Sequence, residues 1–218
     1  MRLAVPGRCA LIAALALSAS ACSTRKEAMD TPPESVYTQA EAYAPAEAAV
    51  AEIAAALPDF PGFAKRSWAE LPCTRNGIED PDYTNVELRY QFSAEDSATA
   101  LVSEAYVAVL RESWTALGHE VIRDTTTELD SATYRDLTAV REDGIMLWYS
   151  AAYLATLMVQ SGCVPRSDPD QIEYIAPAGG IEPGGAGDNV GEYFPEGIPA
   201  GREAVAPFDN PESYDDQL

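Results

Sequence analysis

Lysine and histidine are almost missing from this chain of 218 residues: Lys26, Lys65 and His119 are all it has. Arginine does not make up the deficit, because 14 lysines and arginines face 35 aspartates and glutamates, a formal net charge of −21. A phosphate backbone is bound by neutralising it with lysine and arginine, so nucleic acid is excluded as a partner. Anionic lipid headgroups repel such a body for the same reason. The shortage of histidine and cysteine also excludes most metal chemistry. His119 and two isolated cysteines make a poor zinc site, and Asp80 with Asp82, or Glu95 with Asp96, lack the periodicity of a calcium loop and read as turn and cap residues. No Gly-x-Ser-x-Gly element supplies a serine for His119 to activate, and His119, beside Glu120 at a helix-to-strand junction, reads as a surface or capping residue. No cofactor, metal or catalytic residue is therefore expected. The many carboxylates admit a glycosidase pair, but spacing along a chain does not test the separation such a pair needs.

The one long apolar run is too short to cross a bilayer, which takes roughly 20 residues. It lies between Cys9 and Leu17, after Arg2 and Arg8, and ends in Leu17-Ser18-Ala19-Ser20-Ala21-Cys22. A positive start, an apolar middle and small residues at the end make an export signal. Small residues directly against a cysteine, with a polar segment after it, have the shape of a lipobox. Residues 1–21 are thus read as a lipoprotein signal peptide and Cys22 as the first mature residue, its thiol carrying diacylglycerol with acyl chains such as palmitate. The competing reading is a secreted protein cut after Ala-Ser-Ala. Residues 22–30 form the tether, which reaches roughly 30 Å at ~3.5 Å per residue. The expected location is the cell membrane, by a lipid anchor, on the extracytoplasmic side.

With Cys9 removed and Cys22 acylated, Cys73 and Cys163 remain as a pair in an oxidising compartment, where a disulfide forms and persists. Two buried free thiols are the alternative. Such a bond closes most of a domain spanning residues 31–165.

Within it, Thr31-Pro32-Pro33-Glu34 reads as a helix start. An alanine-rich helix then runs through Leu57, with a kink or a break near Ala44 because Pro45 comes next. Trp68 to Cys73 is extended, and Asn76-Gly77 is a turn. Val86 to Phe92 alternates at period two, with Val86, Leu88, Tyr90 and Phe92 inward and Glu87, Arg89 and Gln91 towards water. Ser93 caps a second helix with a stripe of Leu101, Val102, Ala105, Val109, Leu110 and Leu117, and Gly118 stops it. Four strands come after it, over 119–126, 133–141, 144–150 and 153–163, with a hairpin turn at Glu142-Asp143-Gly144. The fold class is α+β: a two-layer sandwich with an antiparallel sheet, two helices on one face and one disulfide.

Trp68 to Cys73, the helix capped by Ser93, and the segment from Gly144 to Ser161-Gly162-Cys163-Val164-Pro165 give the chain a resemblance to small actinobacterial lipoproteins of the mycobacterial LppA type. The resemblance covers roughly residues 31–165 and implies the fold and an envelope location. It carries over no activity and no catalytic residue, and the long acidic tail departs from it.

Residues 166–218 are rich in proline, glycine and acids without helical or strand period and read as a disordered acidic tail. Tyr174, Tyr193, Phe194, Phe208 and Tyr214 are spaced along it between carboxylates. It reads as a solubilising tail, and as a docking segment in the alternative. Trp148, Tyr149 and Tyr153 are the candidate binding face: Trp148 projects opposite to Tyr149, so a sheet covered on one face leaves one of the two on the less covered side. The expected function is a non-enzymatic lipoprotein that binds an envelope protein or a small molecule. The alternative is a cell-wall-directed hydrolase, which requires a cleft holding His119 or paired carboxylates.

Overall fold

A computed structural model of the chain describes residues 35–128 and 132–198. The segments read as signal peptide and tether, with Cys22, the helix start expected at Thr31 and the last 20 residues of the segment read as an acidic tail, lie outside the described residues. Strand β1 (Lys65–Arg75) and strand β2 (Ile78–Gln91) form a hairpin across Asn76 and Gly77, both at positive φ (53° and 78°). That is the conformation a two-residue hairpin turn demands, and Asn-Gly supplies it at little steric cost. Val86, Leu88, Tyr90 and Phe92 are buried, as their alternation predicts.

The remaining long strands are β3 (Glu120–Glu128), β4 (Thr133–Val140), β5 (Met146–Ala151) and β6 (Thr156–Pro165). With a two-residue β7 (Asp188–Asn189) they make a seven-stranded sheet in the order β3-β4-β5-β6-β2-β1-β7. All pairings are antiparallel except β7 with β1. Register aligns the apolar residues into rows: Leu88, Val159, Leu147 and Ala139 stand opposite one another in turn, as do Tyr90, Leu157, Tyr149 and Leu137. Cross-strand contacts of this kind are the unit of sheet stability.

Helix α1 (Gln39–Ala56) packs on β2 and β6. It starts at a capping box of Thr38 and Glu41 and runs unbroken through Pro45, where the sequence predicts a kink or two helices. Proline removes one hydrogen bond and costs ~3 kcal/mol or more in a helix interior. Burial of Ala42, Tyr43, Ala46, Ala49, Val50 and Ile53 on one side of α1 offsets that cost.

The second helical segment opens as expected at the Ser93 cap, whose hydroxyl accepts from the Asp96 amide at 3.0 Å. It is not one helix: α2 (Ala94–Ser97) leads into a π-helical turn (Leu101–Ala105) and then α3 (Tyr106–Ala116). A π turn inserts an extra residue and shifts the phase of the helix beyond it. The buried stripe is therefore Val102, Tyr106, Leu110 and Trp114, with Ala105 turned to solvent, while Leu117, at the C-cap, is 64% exposed. Gly118, at φ +80°, closes α3 in a Schellman motif, with the Gly118 amide on Thr115 O and the His119 amide on Trp114 O. The Tyr149 hydroxyl donates to Val102 O at 2.7 Å, and the Tyr90 hydroxyl donates to Glu47 of α1. Both helical segments thus meet the face of the sheet that carries the apolar rows.

The structure corrects two further expectations about burial and order. Glu87, predicted to face water, is 5% exposed, because Gln160 Nε2 donates to it at 2.6 Å and Arg89 pairs with it at 2.7 Å. Residues 166–198, predicted to be disordered, form a strap along β1 that buries Tyr174, Ile175, Ile181 and Val190. The strap lacks period because, apart from the two-residue β7 ladder, side chains and single backbone bonds hold it. The Phe63 amide donates to Gly179 O at 2.8 Å, and the Arg66 amide donates to Gly187 O at 2.7 Å. Gly187 is required at that approach, since a Cβ there would lie 2.6 Å from Ala64 O.

Cys73 and Cys163 form a disulfide, with Cα atoms 5.9 Å apart and a sequence separation of 90. Closing a loop of that length stabilises by about 4–5 kcal/mol in the chain-entropy argument. Replacing both cysteines by serine is expected to lower the urea-unfolding free energy by about that amount. A loss below ~1 kcal/mol would contradict the loop-closure account and mean that residual structure already restrains the unfolded chain.

Candidate functional site

The face of the sheet away from the helices carries a row that crosses six strands: Ser67, Arg89, Met158, Trp148, Thr138 and Arg123, each opposite the next. Trp148 is half-buried at its middle. The Arg123 guanidinium lies 5.7 Å from the Trp148 ring centroid and its Nη1 donates to Asp136 Oδ2 at 3.0 Å, so the arginine is held over the ring by a buried carboxylate. The Trp148 indole N–H is buried with no hydrogen-bond partner among the described residues. Tyr149, the neighbouring candidate, points the other way and is 1% exposed in the core. Tyr153 lies between β5 and β6, 67% exposed and outside the row. Of the three aromatics singled out in the sequence, Trp148 alone stands in the row on the open face. Arg89, Met158 and Arg123 were missed by sequence reasoning, although their signal was the same two-residue alternation carried across the sheet.

His119 stands on an open cleft of about 570 Å³ with Glu52, Arg141, Glu142 and Asp143. The Schellman turn delivers His119 there, and the β4–β5 hairpin delivers the others except Glu52 of α1. Arg141 donates to both Asp143 oxygens at 3.2 and 3.0 Å, and the Tyr37 hydroxyl donates to Asp143 Oδ2 at 3.0 Å. Burial pushes the Asp143 carboxyl up, but Arg141, Tyr37 and the Ile145 amide outweigh it and hold the group below its usual range. Burial and the Arg141 charge hold His119 below its ordinary value, against the opposing pull of Asp143 and Glu52. A narrow recess of about 30 Å³ continues inward past Ser113 and Trp114. Among the described residues no hydrogen bond joins Ser113 to His119.

A third concavity, of about 680 Å³, lies between the start of α1, β1 and the strap. Gln39 Nε2 donates to Glu70 Oε1 at 2.7 Å, Arg166 Nη1 donates to Glu70 Oε2 at 2.6 Å, and the Ser167 amide donates to Gln39 Oε1 at 3.1 Å. Sequence reasoning did not find it, because much of its wall comes from the stretch read as tail. The acidic pairs weighed for calcium are used locally: Asp80 pairs with Arg75, and Asp96 belongs to the Ser93 cap. No group of three His, Cys, Asp or Glu among the described residues is placed to hold a metal ion.

Because His119 is the one imidazole in the chain, its titration by NMR is unambiguous. The midpoint is expected below 6.5, and Arg141→Gln is expected to raise it by removing a neighbouring positive charge. A midpoint at or above 6.5 would contradict the electrostatics described for the cleft.

No protein family and no curated protein matches the chain. Among solved structures it is similar to the lipoprotein LppA from Mycobacterium tuberculosis, at 18% identity over 66% of this chain and 83% of that one, with a TM-score of 0.30.

Proposed function

We propose that the chain is an extracytoplasmic lipoprotein, anchored through Cys22, whose two-layer body binds an envelope partner through the open sheet face. The observation that carries this reading is the row Arg89, Met158, Trp148, Thr138 and Arg123: an aromatic centre flanked by two arginines in a chain of net charge −21. Arg89 is paired with Glu87 and Arg123 with Asp136, so the face is charge-balanced, and the apolar centre of Trp148 and Met158 between the two pairs favours a partner that presents an apolar side chain ringed by polar groups. In this reading residues 22–30 keep the body close to the membrane, and the body extends through the strap to residue 198.

The test is crosslinking on intact cells with identification of the captured partner. Wild-type protein is expected to capture a discrete species, Arg123→Gln to lose about tenfold of it, and Cys22→Ala to appear in the soluble fraction. Equal capture by wild type and Arg123→Gln would overturn the face assignment, and membrane retention of Cys22→Ala would overturn the anchor.

One observation favours a second reading, cell-wall-directed hydrolysis: His119 shares a cleft with Glu52 and Glu142. That reading requires turnover of cell-wall material that is abolished in His119→Asn, and it fails if no turnover is measured with the wild-type chain.

A further inference from the structure

The narrow recess behind His119 lies between α1, α3 and β5, where Ala49, Ile53, Leu110 and Leu147 make its walls apolar. Trp114 lines it as well, at 1% exposure, and its indole N–H is buried without a hydrogen-bond partner among the described residues. A buried donor left unpaired is costly, so the recess offers a hydrogen bond to any acceptor that enters it. At about 30 Å³ it takes a methyl-sized group and not a ring.

Glu52, Leu117, His119 and Arg141 border both the recess and the open cleft of about 570 Å³, so the two are continuous. Charge at this mouth sorts ligands. Glu52, Glu142 and Asp143 outnumber Arg141, whose guanidinium is engaged by both Asp143 oxygens, so an anion is repelled. The indole N–H, a donor only, offers a cation nothing. A neutral carbonyl carrying a small apolar group meets both conditions. An amide N–H beside that carbonyl finds its acceptor in Glu52, whose side chain is 61% exposed and lies 3.8 Å from Arg141 Nη1. Leu117, 64% exposed on the rim, gives an apolar surface to the C–H face of a sugar ring, and the charged groups of the cleft suit its hydroxyls.

We propose that recess and cleft together bind an N-acetylated amino sugar: the acetyl methyl in the recess, its carbonyl on the Trp114 indole N–H, its amide N–H on Glu52 and the ring in the cleft against Leu117. The cleft is the one the hydrolytic reading invokes, but the inference needs no turnover. Binding is read from spectra and hydrolysis from product, so each fails separately, and neither the anchor nor the open face depends on it.

The test titrates the disulfide-bonded full chain with N-acetylglucosamine and with glucose. Trp68, Trp114 and Trp148 are its three tryptophans, so their indole N–H signals in NMR spectra separate this site from the core and from the open face. N-acetylglucosamine is expected to move the Trp114 indole signal and the His119 amide and to leave the Trp148 indole unmoved, and glucose to bind at least about tenfold more weakly. Ser113→Leu, which enlarges a half-buried side chain on the recess wall and removes none from the core, is expected to bring the N-acetyl sugar down to the level of glucose. Equal affinity for the two sugars, discrimination kept in Ser113→Leu, shifts centred on Trp148, or no shift of the Trp114 indole up to about 50 mM overturns the proposal.

Discussion

Arg66 lies in the sheet at 0% exposure with a carboxylate on either side. Its Nη1 donates to Glu47 Oε1 at 2.8 Å and to Ile175 O at 2.7 Å, and its Nε donates to Asp188 Oδ1 at 2.8 Å. The guanidinium also stands 5.2 Å from the Trp68 ring centroid and 5.4 Å from that of Tyr174. Burial alone pulls the charge on Arg66 down, but Glu47, Asp188 and their neighbours hold it up. Burial pushes the Glu47 carboxyl above its usual range even though Arg66, Tyr90 and Trp68 all favour its charge. Tyr90 and Trp68 donate to Glu47, Tyr174 and the Gly184 amide donate to Asp188, and the second negative charge is thereby shared among neutral donors. A buried ion pair is not itself a large gain over an apolar cluster, but removing one partner costs about 3–5 kcal/mol.

The cluster is central because of the set of elements it joins. Glu47 belongs to α1, Arg66 and Trp68 to β1, Tyr90 to β2, and Ile175 and Asp188 to the strap. One guanidinium therefore registers the helix on the sheet and the strap on the sheet edge at once. The parallel pairing of β7 with β1 places Asp188 opposite Arg66, so the ladder and the ion pair specify the same register. The concavity beside Tyr193 exists only because the strap is held there. The opposite face, with Trp148 and its arginines, is left uncovered by the same arrangement.

Much of the fold was legible because its signals are local. Asn76-Gly77, the Ser93 cap, Gly118 and the Val86 to Phe92 alternation each act within a few residues, and each lies where the pattern puts it. The disulfide was legible for another reason: reading Cys9 as part of an export signal and Cys22 as lipidated leaves Cys73 and Cys163 as the pair. The π turn was not, because it leaves no composition mark and shows only as the shift of the buried stripe from Ala105 to Tyr106. Of the two outcomes expected at Pro45, a kink or two helices, the helix is not divided, because burial along α1 offsets the local cost. Arg66 and the strap were invisible together: a charge at an inward strand position makes sense only with Asp188, 122 residues away. Of the candidate face, Trp148 was legible from alternation, while its arginines needed strand order.

Native-state hydrogen exchange on Arg66→Met tests the central role of this cluster most directly. If Arg66 ties helix and strap to the sheet, the amides of residues 174–190 and of α1 should lose protection together, by about 3 kcal/mol or more, while the β4–β5 hairpin keeps more of its protection. Unchanged protection across residues 174–190 would show that apolar packing alone holds the strap, and would contradict the role assigned to Arg66.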